Sequence, residues 1–358
     1  MGACFRVGIS RNLLNADGTA DTHLLGLDEL IDAAGIAFEF LEEYTPVLAP
    51  HQAGGYDALL LENTAVSTAS LAGLERLALI ARFGAGFDSI DLDACTERGI
   101  LVTNAPDGVR RPMAVVNLSL ILAVTQHVLI KDSHARTNQW DRCMEYMGMG
   151  LTGRTLGLVG LGNVGRELLA LIKPFGMRHI AYDPFVSPAA MAELGITAVD
   201  LDALMTDSDV VCITCALTPE TRGMIDARLI DRMKPSAFFV NAARGPIVDQ
   251  RALTRALVER RIRGAGLDVF SPEPPEPDDP LLALDNVVLS PHSLACTDEC
   301  FRGIGLSATR SILAVARGEL PHFVVNRAVL DQPSLHMRLQ SFARTAGLSS
   351  IESIESEE

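Results

Sequence analysis

The sequence predicts an α/β protein built from two doubly wound parallel sheets. Three observations carry that prediction. Short apolar runs alternate with helical patterns from one end of the chain to the other, as in parallel sheets with helices on their faces. A length of 358 residues corresponds to about two domains at ~150 residues each. Hydrophobic residues at 48% against charged residues at 21% provide a core that needs neither disulfides nor a metal.

The elements follow in order. In the first hundred residues, runs at 6–10, 37–40, 58–61, 79–81 and 100–103 read as strands with helical patterns between them. Asn104-Ala105-Pro106-Asp107-Gly108 then reads as a turn-rich joint, and Pro112 suits the first turn of an apolar helix over 113–130. A second series follows, with strands at 155–160, 179–183, 209–213, 237–241, 264–269 and 287–290, enough for one complete Rossmann-type sheet. Residues 297–317 form a further helical pattern with Gly318 as its stop, and 323–326 is strand-like. If that helix returns to the first series, the smaller domain is discontinuous and flavodoxin-like. It would comprise 1–104 and 299–330 around a larger domain of 105–298, with a cleft opposite the strand ends. The tail of 331–358 ends in an acidic run over 349–358 that is too polar to pack.

Charge and cysteine usage exclude several roles. Thirty Lys and Arg against 45 Asp and Glu give a formal charge of −15, a field that repels nucleic acid and anionic membrane surfaces. The seven cysteines, at 4, 95, 143, 212, 215, 296 and 300, are odd in number and scattered, which suits thiols in a cytoplasmic protein. The first residues have neither the basic flank and apolar core of a signal peptide nor the Ser or Thr that a myristoylation signal needs at Arg6. Asn117, Ser119, Thr125, Gln126 and His127 interrupt the apolar stretch of 113–130, so it reads as a buried helix rather than a membrane span.

The segment Gly160-Leu161-Gly162-Asn163-Val164-Gly165 places G-x-G-x-x-G at the end of an expected strand and the head of a helix. That context asks for a tight turn at Gly160, a bare backbone at Gly162 beside a pyrophosphate, and close helix packing at Gly165. Asp183 ends the next strand 18 residues after Gly165, near the spacing of a carboxylate that meets the adenosine ribose hydroxyls. Pro184 and Phe185 follow where a reader of a 2′-phosphate would carry Arg, so NAD is the expected cofactor.

Three polar residues come at or just after strand ends, which line the ligand crevice of an open α/β sheet. Arg244 follows the strand at 237–241, Glu273 lies between Pro272 and Pro274, and His292 follows Pro291. A guanidinium suits a substrate carboxylate or carbonyl oxygen, and imidazole exchanges protons near neutral pH. A carboxylate behind the imidazole would hold the ring and favour its charged form. Taken singly, Arg244 reads more readily as a surface ion pair, Glu273 as an exposed loop acid and His292 as a structural histidine; the three gain meaning jointly, behind a dinucleotide loop.

These stretches carry a resemblance. Over roughly residues 50–327 the chain resembles the D-isomer-specific 2-hydroxyacid dehydrogenases, in the run from Arg82 to Asp91, the lead 151–157 and the glycine loop, 241–249, 264–270, Glu273-Pro274 and Pro291-His292. The resemblance implies that Arg244 binds substrate and polarises its C2 oxygen, that His292 supported by Glu273 moves the hydroxyl proton, and that hydride passes between C2 and nicotinamide. It implies that backbone amides around Gly84, Ala85 and Gly86 hold the substrate carboxylate. On the cofactor side it points to Asn163, Val164, Asp183, Cys215, Ala242, Asp268 and Ala295, with Arg244 and His292 close by and Asp268 accepting from the carboxamide. The expected activity is NAD-dependent and acts on a small D-2-hydroxy acid or its keto partner; the apolar 113–130 helix, burying part of its surface against a second subunit, makes a homodimer the expected assembly.

The chain departs from the family where an A-V-A-E motif reads Ala114-Val115-Val116-Asn117. Arg110 and Arg111 just before it could reach a second acidic group of a substrate, or form a solvated pair. Two other roles share the architecture: an NAD(H)-sensing, corepressor-like binding protein and a phosphite oxidiser. The formate branch pairs its histidine with Gln, so Glu273 argues against it. Cys212 and Cys215 would point to opposite faces of a strand, and His292, Cys296 and Cys300 share helical spacing only if a helix starts earlier than Thr297, so no metal is expected. Trp140 reads as a packing residue.

Overall fold

The computed structural model describes residues 4–345. The chain divides into two compact units: one runs through Val109 and resumes at Thr297, and the other is Arg110–Cys296. The sequence reading placed these divisions at 104/105 and 298/299. In chain order, β1 (Phe5–Ile9), α1 (Asp28–Ile31), β2 (Ile36–Phe40), α2 (Pro50–Ala53), β3 (Ala58–Leu61), β4 (Leu79–Arg82), α3 (Leu92–Glu97) and β5 (Leu101–Thr103) precede α4 (Pro106–Thr125). Then come α5 (Val128–Arg136), β6 (Thr155–Val159), α6 (Asn163–Ile172), β7 (Arg178–Tyr182), α7 (Pro188–Glu193), β8 (Thr197–Ala198), α8 (Leu201–Asp207) and β9 (Val210–Ile213). The remainder is α9 (Ala227–Ile230), β10 (Phe238–Asn241), α10 (Gln250–Val258), β11 (Gly264–Leu267), β12 (Val287–Leu289), α11 (Asp298–Ala316) and α12 (Pro333–Thr345).

The first unit holds a five-stranded parallel sheet in the order β2-β1-β3-β4-β5, the flavodoxin-type order. Its central strand β3, Ala58-Leu59-Leu60-Leu61, is buried on both faces, which is why it reads as a continuous apolar run rather than an alternating one. Helix α11 is capped by Thr297, whose side chain accepts from the Cys300 amide, and Asp298 and Glu299 complement the helix dipole. It lies backbone to backbone against its neighbours. A Cβ at Gly305 would overlap the Leu25 carbonyl, and one at Gly108 would overlap the backbone of Gly303 and Ile304.

Two expectations fail here. The segment after residue 331 is not simply a tail, because 333–345 forms α12, which packs on the first unit. Leu335 and Leu339 are buried, the Phe342 ring meets Phe5 edge-on at 5.0 Å, and Arg338 donates to the carbonyls of Leu77, Arg98 and Gly99. The acidic run of 349–358 lies outside the described residues. Nor do 323–326 make a strand. Val324 forms a single bridge to Thr103, while the Asn326 side chain takes the Val102 amide and donates to the Ile100 carbonyl, supplying the bonds that strand pairing would have made.

The second unit holds a seven-stranded parallel sheet, β12-β11-β10-β9-β6-β7-β8, with its order reversing between β6 and β9. The two-residue β8 escaped the sequence reading because so short a run has no period. Apolar side chains cover both faces: Val159, Val211, Phe239 and Leu267 on one, and Leu156, Leu158, Cys212, Phe238 and Val240 on the other, with Ala114, Val116, Leu120 and Ile121 of α4 packed on the second.

Helix α4 begins at Pro106 rather than 113, includes Pro112 within it, and stops at Thr125 rather than 130. The turn-rich signal of 104–108 is therefore partly its first turn, where a missing proline N–H costs nothing. His127 at φ 52° ends the helical path, with Gln126 and Thr125 bonded to Met149, and α5 starts separately. By length and composition α4 is apolar enough to cross a membrane, and half of that stretch is buried in the fold. Trp140 is 70% exposed and so is not a packing residue in this unit.

Candidate active site

The carboxyl ends of the parallel strands β6, β7, β9, β10, β11 and β12 share one edge of the sheet, and each supplies a residue singled out from sequence. Gly160 follows β6 at φ +99°, and a Cβ there would sit 2.7 Å from the Cys215 amide nitrogen. A Cβ at Gly165 would sit 2.7 Å from the Gly160 carbonyl. The fold itself thus demands glycine at these two positions. Gly162 is different: its φ of −76° and ψ of −157° suit any residue, and nothing lies within 4 Å of a Cβ built there. A bare position with open space at the head of α6, beside Asn163 and Val164, fits close approach of a pyrophosphate to the helix amides. The residues present therefore fit a dinucleotide.

Asp183, just past β7, accepts from the amides of Leu161 at 2.7 Å and Phe185 at 2.9 Å, which ties it to the glycine loop. Its carboxylate keeps lone pairs for ribose hydroxyls. At the sheet's reversal point, Thr214 donates to the Gly160 carbonyl and Cys215 backs onto it; burial pushes the Cys215 thiol up to about 11, so it is neutral. Ala242 is buried past β10, and Ala295 is half-buried in the turn before α11.

The three residues that the sequence suggests as catalytic, Arg244, Glu273 and His292, lie wholly within the second unit. Asn241 builds the turn under Arg244: its side chain accepts from the Ala243 amide and donates to the Arg244 carbonyl, each at 3.0 Å. Arg244 Nη1 donates to the Ala243 carbonyl at 2.8 Å, and its charge is felt by Glu273. Glu273 places Oε1 2.5 Å from His292 Nδ1 and takes the Phe270 amide on Oε2 at 3.0 Å. Burial raises the Glu273 carboxyl, but the bonds to His292 and Phe270 and the positive charge of Arg244 outweigh it and hold the group below its ordinary value.

His292 stands in a left-handed turn at φ 53°, outside α11, so it does not share a helical face with Cys296 and Cys300. Asp268 fixes that turn by accepting from the Ser293 amide at 3.1 Å and the Leu294 amide at 3.4 Å. Burial raises the Asp268 carboxyl against these bonds.

Other predicted residues fall elsewhere. Gly84, at φ +139°, with Ala85 and Gly86 follows β4 in the first unit. The Gly84 amide donates to the Arg82 carbonyl within its own turn. Arg111 and Arg110 both pair with Glu167 of α6, at 2.9 and 3.7 Å, the solvated-pair alternative. Asn117, where the family carries an acid, is buried; it donates to the Met113 carbonyl and accepts from the Cys212 thiol. In the sequence Asn241 stands only as the first residue of the 241–249 stretch, and no sequence signal marks its turn-building role.

A parallel sheet presenting a glycine loop, an imidazole–carboxylate pair and a guanidinium along one edge is the layout of a nicotinamide-dependent oxidoreductase. Residues 118–293 match the model of the D-isomer specific 2-hydroxyacid dehydrogenase, NAD binding domain. A D-3-phosphoglycerate dehydrogenase of Methanocaldococcus jannaschii is 40% identical over 262 residues, covering 73% of this chain and 50% of that protein, so the chain spans about half the length of such relatives. A glyoxylate reductase of Korarchaeum cryptofilum is 40% identical over 258 residues, covering 71% of this chain and 78% of that one. Among solved structures, the D-lactate dehydrogenase of Aquifex aeolicus complexed with NAD and lactic acid matches with a TM-score of 0.74 at 26% identity, covering 87% of this chain and 96% of that one. The chain belongs to the D-isomer specific 2-hydroxyacid dehydrogenases, and its cofactor is NAD.

Proposed function

We propose that the protein transfers a hydride between NAD(H) and C2 of a small D-2-hydroxy acid or 2-keto acid. The observation that carries this reading is the 2.5 Å contact of His292 Nδ1 with Glu273, which leaves Nε2 as the nitrogen free to serve a substrate oxygen. Bound cofactor supplies the hydride in reduction and accepts it in oxidation. In reduction, His292 gives its Nε2 proton to the C2 oxygen as that oxygen gains an electron pair, and Glu273 holds the imidazolium until the proton leaves. In oxidation His292 takes the hydroxyl proton. Arg244 binds the substrate carboxylate and polarises the C2 oxygen, with its own backbone fixed by Asn241. Carboxylate binding by backbone amides around Gly84, Ala85 and Gly86 is part of the proposal and rests on the sequence resemblance.

The relatives' names point to glyoxylate, pyruvate and the keto acid of 3-phosphoglycerate as the first substrates to try. We further propose a cytoplasmic homodimer. Val115 on α4, Val128 and Leu129 on α5, and Trp140 and Met144 beyond them are exposed apolar side chains that a second copy would cover. The test is NADH consumption at 340 nm with short 2-keto acids, run beside His292→Ala. Turnover of a keto acid that drops at least about 100-fold in the variant supports the reading; NADH binding with no turnover of any keto acid favours the binding-protein alternative.

A further inference from the structure

The loop that carries Glu273 has to be held in place, and proline content alone does not attach it to the rest of the unit. Two successive backbone amides enter that loop. The Phe270 amide donates to Glu273 itself at 3.0 Å, and the next one, from Ser271, donates to the side-chain oxygen of Gln250 at 2.6 Å. The Gln250 amide nitrogen donates in turn to Asp279 at 3.1 Å, and the other Asp279 oxygen takes the Leu281 amide at 2.9 Å. One side chain thus ties both ends of the loop, at 271 and 279.

Gln250 opens α10 directly after Asp249, which caps that helix by accepting from the Ala252 amide. Five residues before Asp249 stands Arg244. The stretch from 244 to 250 therefore bears the substrate-binding guanidinium near one end and the loop's clasp at the other. A second clasp lies beside Arg244: a Cβ at Gly245 would overlap the Phe270 carbonyl, so the two segments touch backbone to backbone.

We infer that Gln250 is a positioning residue that holds the Glu273 loop in register with Arg244 and with His292. It touches neither substrate nor cofactor and acts through the Ser271 amide. The inference rests on the proposed function, in which the Glu273–His292 contact serves proton transfer. The charged groups acting on that pair are Asp268, which feels His292, and Arg244, which feels Glu273. Both belong to the same unit.

Gln250→Ala removes an acceptor from Ser271 and a donor from Asp279, so the loop moves and the carboxylate loosens from the imidazole. Less imidazolium survives at high pH, and the falling limb of kcat/KM for keto-acid reduction shifts down by about half a pH unit. The expected fall in kcat is about tenfold, with KM for NADH unchanged. Gln250→Glu, which is isosteric, keeps the acceptor for Ser271 but loses the donor to Asp279 and sets two carboxylates together, so kcat falls as the loop loosens; it is read on kcat if the alanine variant does not fold. The pair Gln250→Glu with Asp279→Asn reverses the donor and acceptor and restores both bonds, so kcat returns towards the wild-type value. A limb that stays put in folded Gln250→Ala, or a double variant whose kcat is no better than that of Gln250→Glu alone, overturns the inference. His292→Ala separates the two levels: full activity there breaks the proposed function, whereas loss of activity alongside an unshifted Gln250 profile breaks this inference alone.

Discussion

Nδ1 of His292 lies 2.5 Å from Oε1 of Glu273, while the second oxygen of that carboxylate is committed to the Phe270 amide. The bond fixes the ring's orientation and keeps a negative charge against it. Glu273→Gln retains the shape and removes the charge. The falling limb of kcat/KM for reduction should then move to lower pH, and kcat should drop about 10- to 100-fold. The Glu273 carboxyl is held below its ordinary value in the fold, so its contribution to stability is complete above the ordinary carboxylate range and is lost as pH falls through the depressed value. The melting temperatures of wild type and Glu273→Gln should therefore converge on acidification through about pH 4.

Arg244→Lys keeps the charge but loses the planar fork to which the proposed function assigns the substrate carboxylate and C2 oxygen. The expected result is a rise of about 10- to 100-fold in KM for the keto acid, corresponding to ~1.4–2.7 kcal/mol, with NADH affinity little changed. Steady-state kinetics with fluorescence titration of NADH check both. Equal loss of cofactor and substrate affinity would place the residue in a different role.

Two of the loop glycines, Gly160 and Gly162, should separate stability from binding. Gly160→Ala meets a φ of +99° and the Cys215 backbone, so it should destabilise the protein by ~1–3 kcal/mol in thermal or urea unfolding. Gly162→Val meets neither strain nor a neighbour and should unfold like wild type, within ~0.5 kcal/mol, yet bind NADH at least about tenfold more weakly. If Gly162→Val binds NADH at wild-type strength, the pyrophosphate does not lie there.

Arg338 is half-buried and donates to three backbone carbonyls. Arg338→Ala leaves those carbonyls to find water in a packed region, at a cost of ~2–4 kcal/mol. Its residues lie far along the sequence from the chemistry, so activity at 25 °C in the folded fraction should be unchanged while the melting temperature falls.

The alternation of apolar runs and the glycine loop made both sheets legible, because a buried parallel strand such as 58–61 needs continuous apolar side chains and a dinucleotide loop needs glycine at fixed offsets. What escaped depended on contacts distant in sequence. Helix α12 sets Leu335, Leu339 and Phe342 at helical spacing, but its packing also rests on the Arg338 fork, whose carbonyl partners at Leu77, Arg98 and Gly99 are far off in sequence. The start of α4 was hidden by Pro106, Gly108 and Pro112, residues that usually punctuate; Gly108 is there because a neighbouring helix leaves no room for a Cβ. Asn326 mimics a strand through its side chain, and Gln250 looks like any surface residue at a helix start until Ser271 and Asp279 are seen beside it.

The bare contact between α11 and its neighbours bears on how mutational surveys of this protein should be interpreted. Saturation libraries scored by growth or turnover will show near-total intolerance at Gly26, Gly108 and Gly305, as severe as at His292. Such a map would draw a false second centre of function, and only a parallel screen for abundance would separate positions that react from positions where two main chains have no room for a side chain.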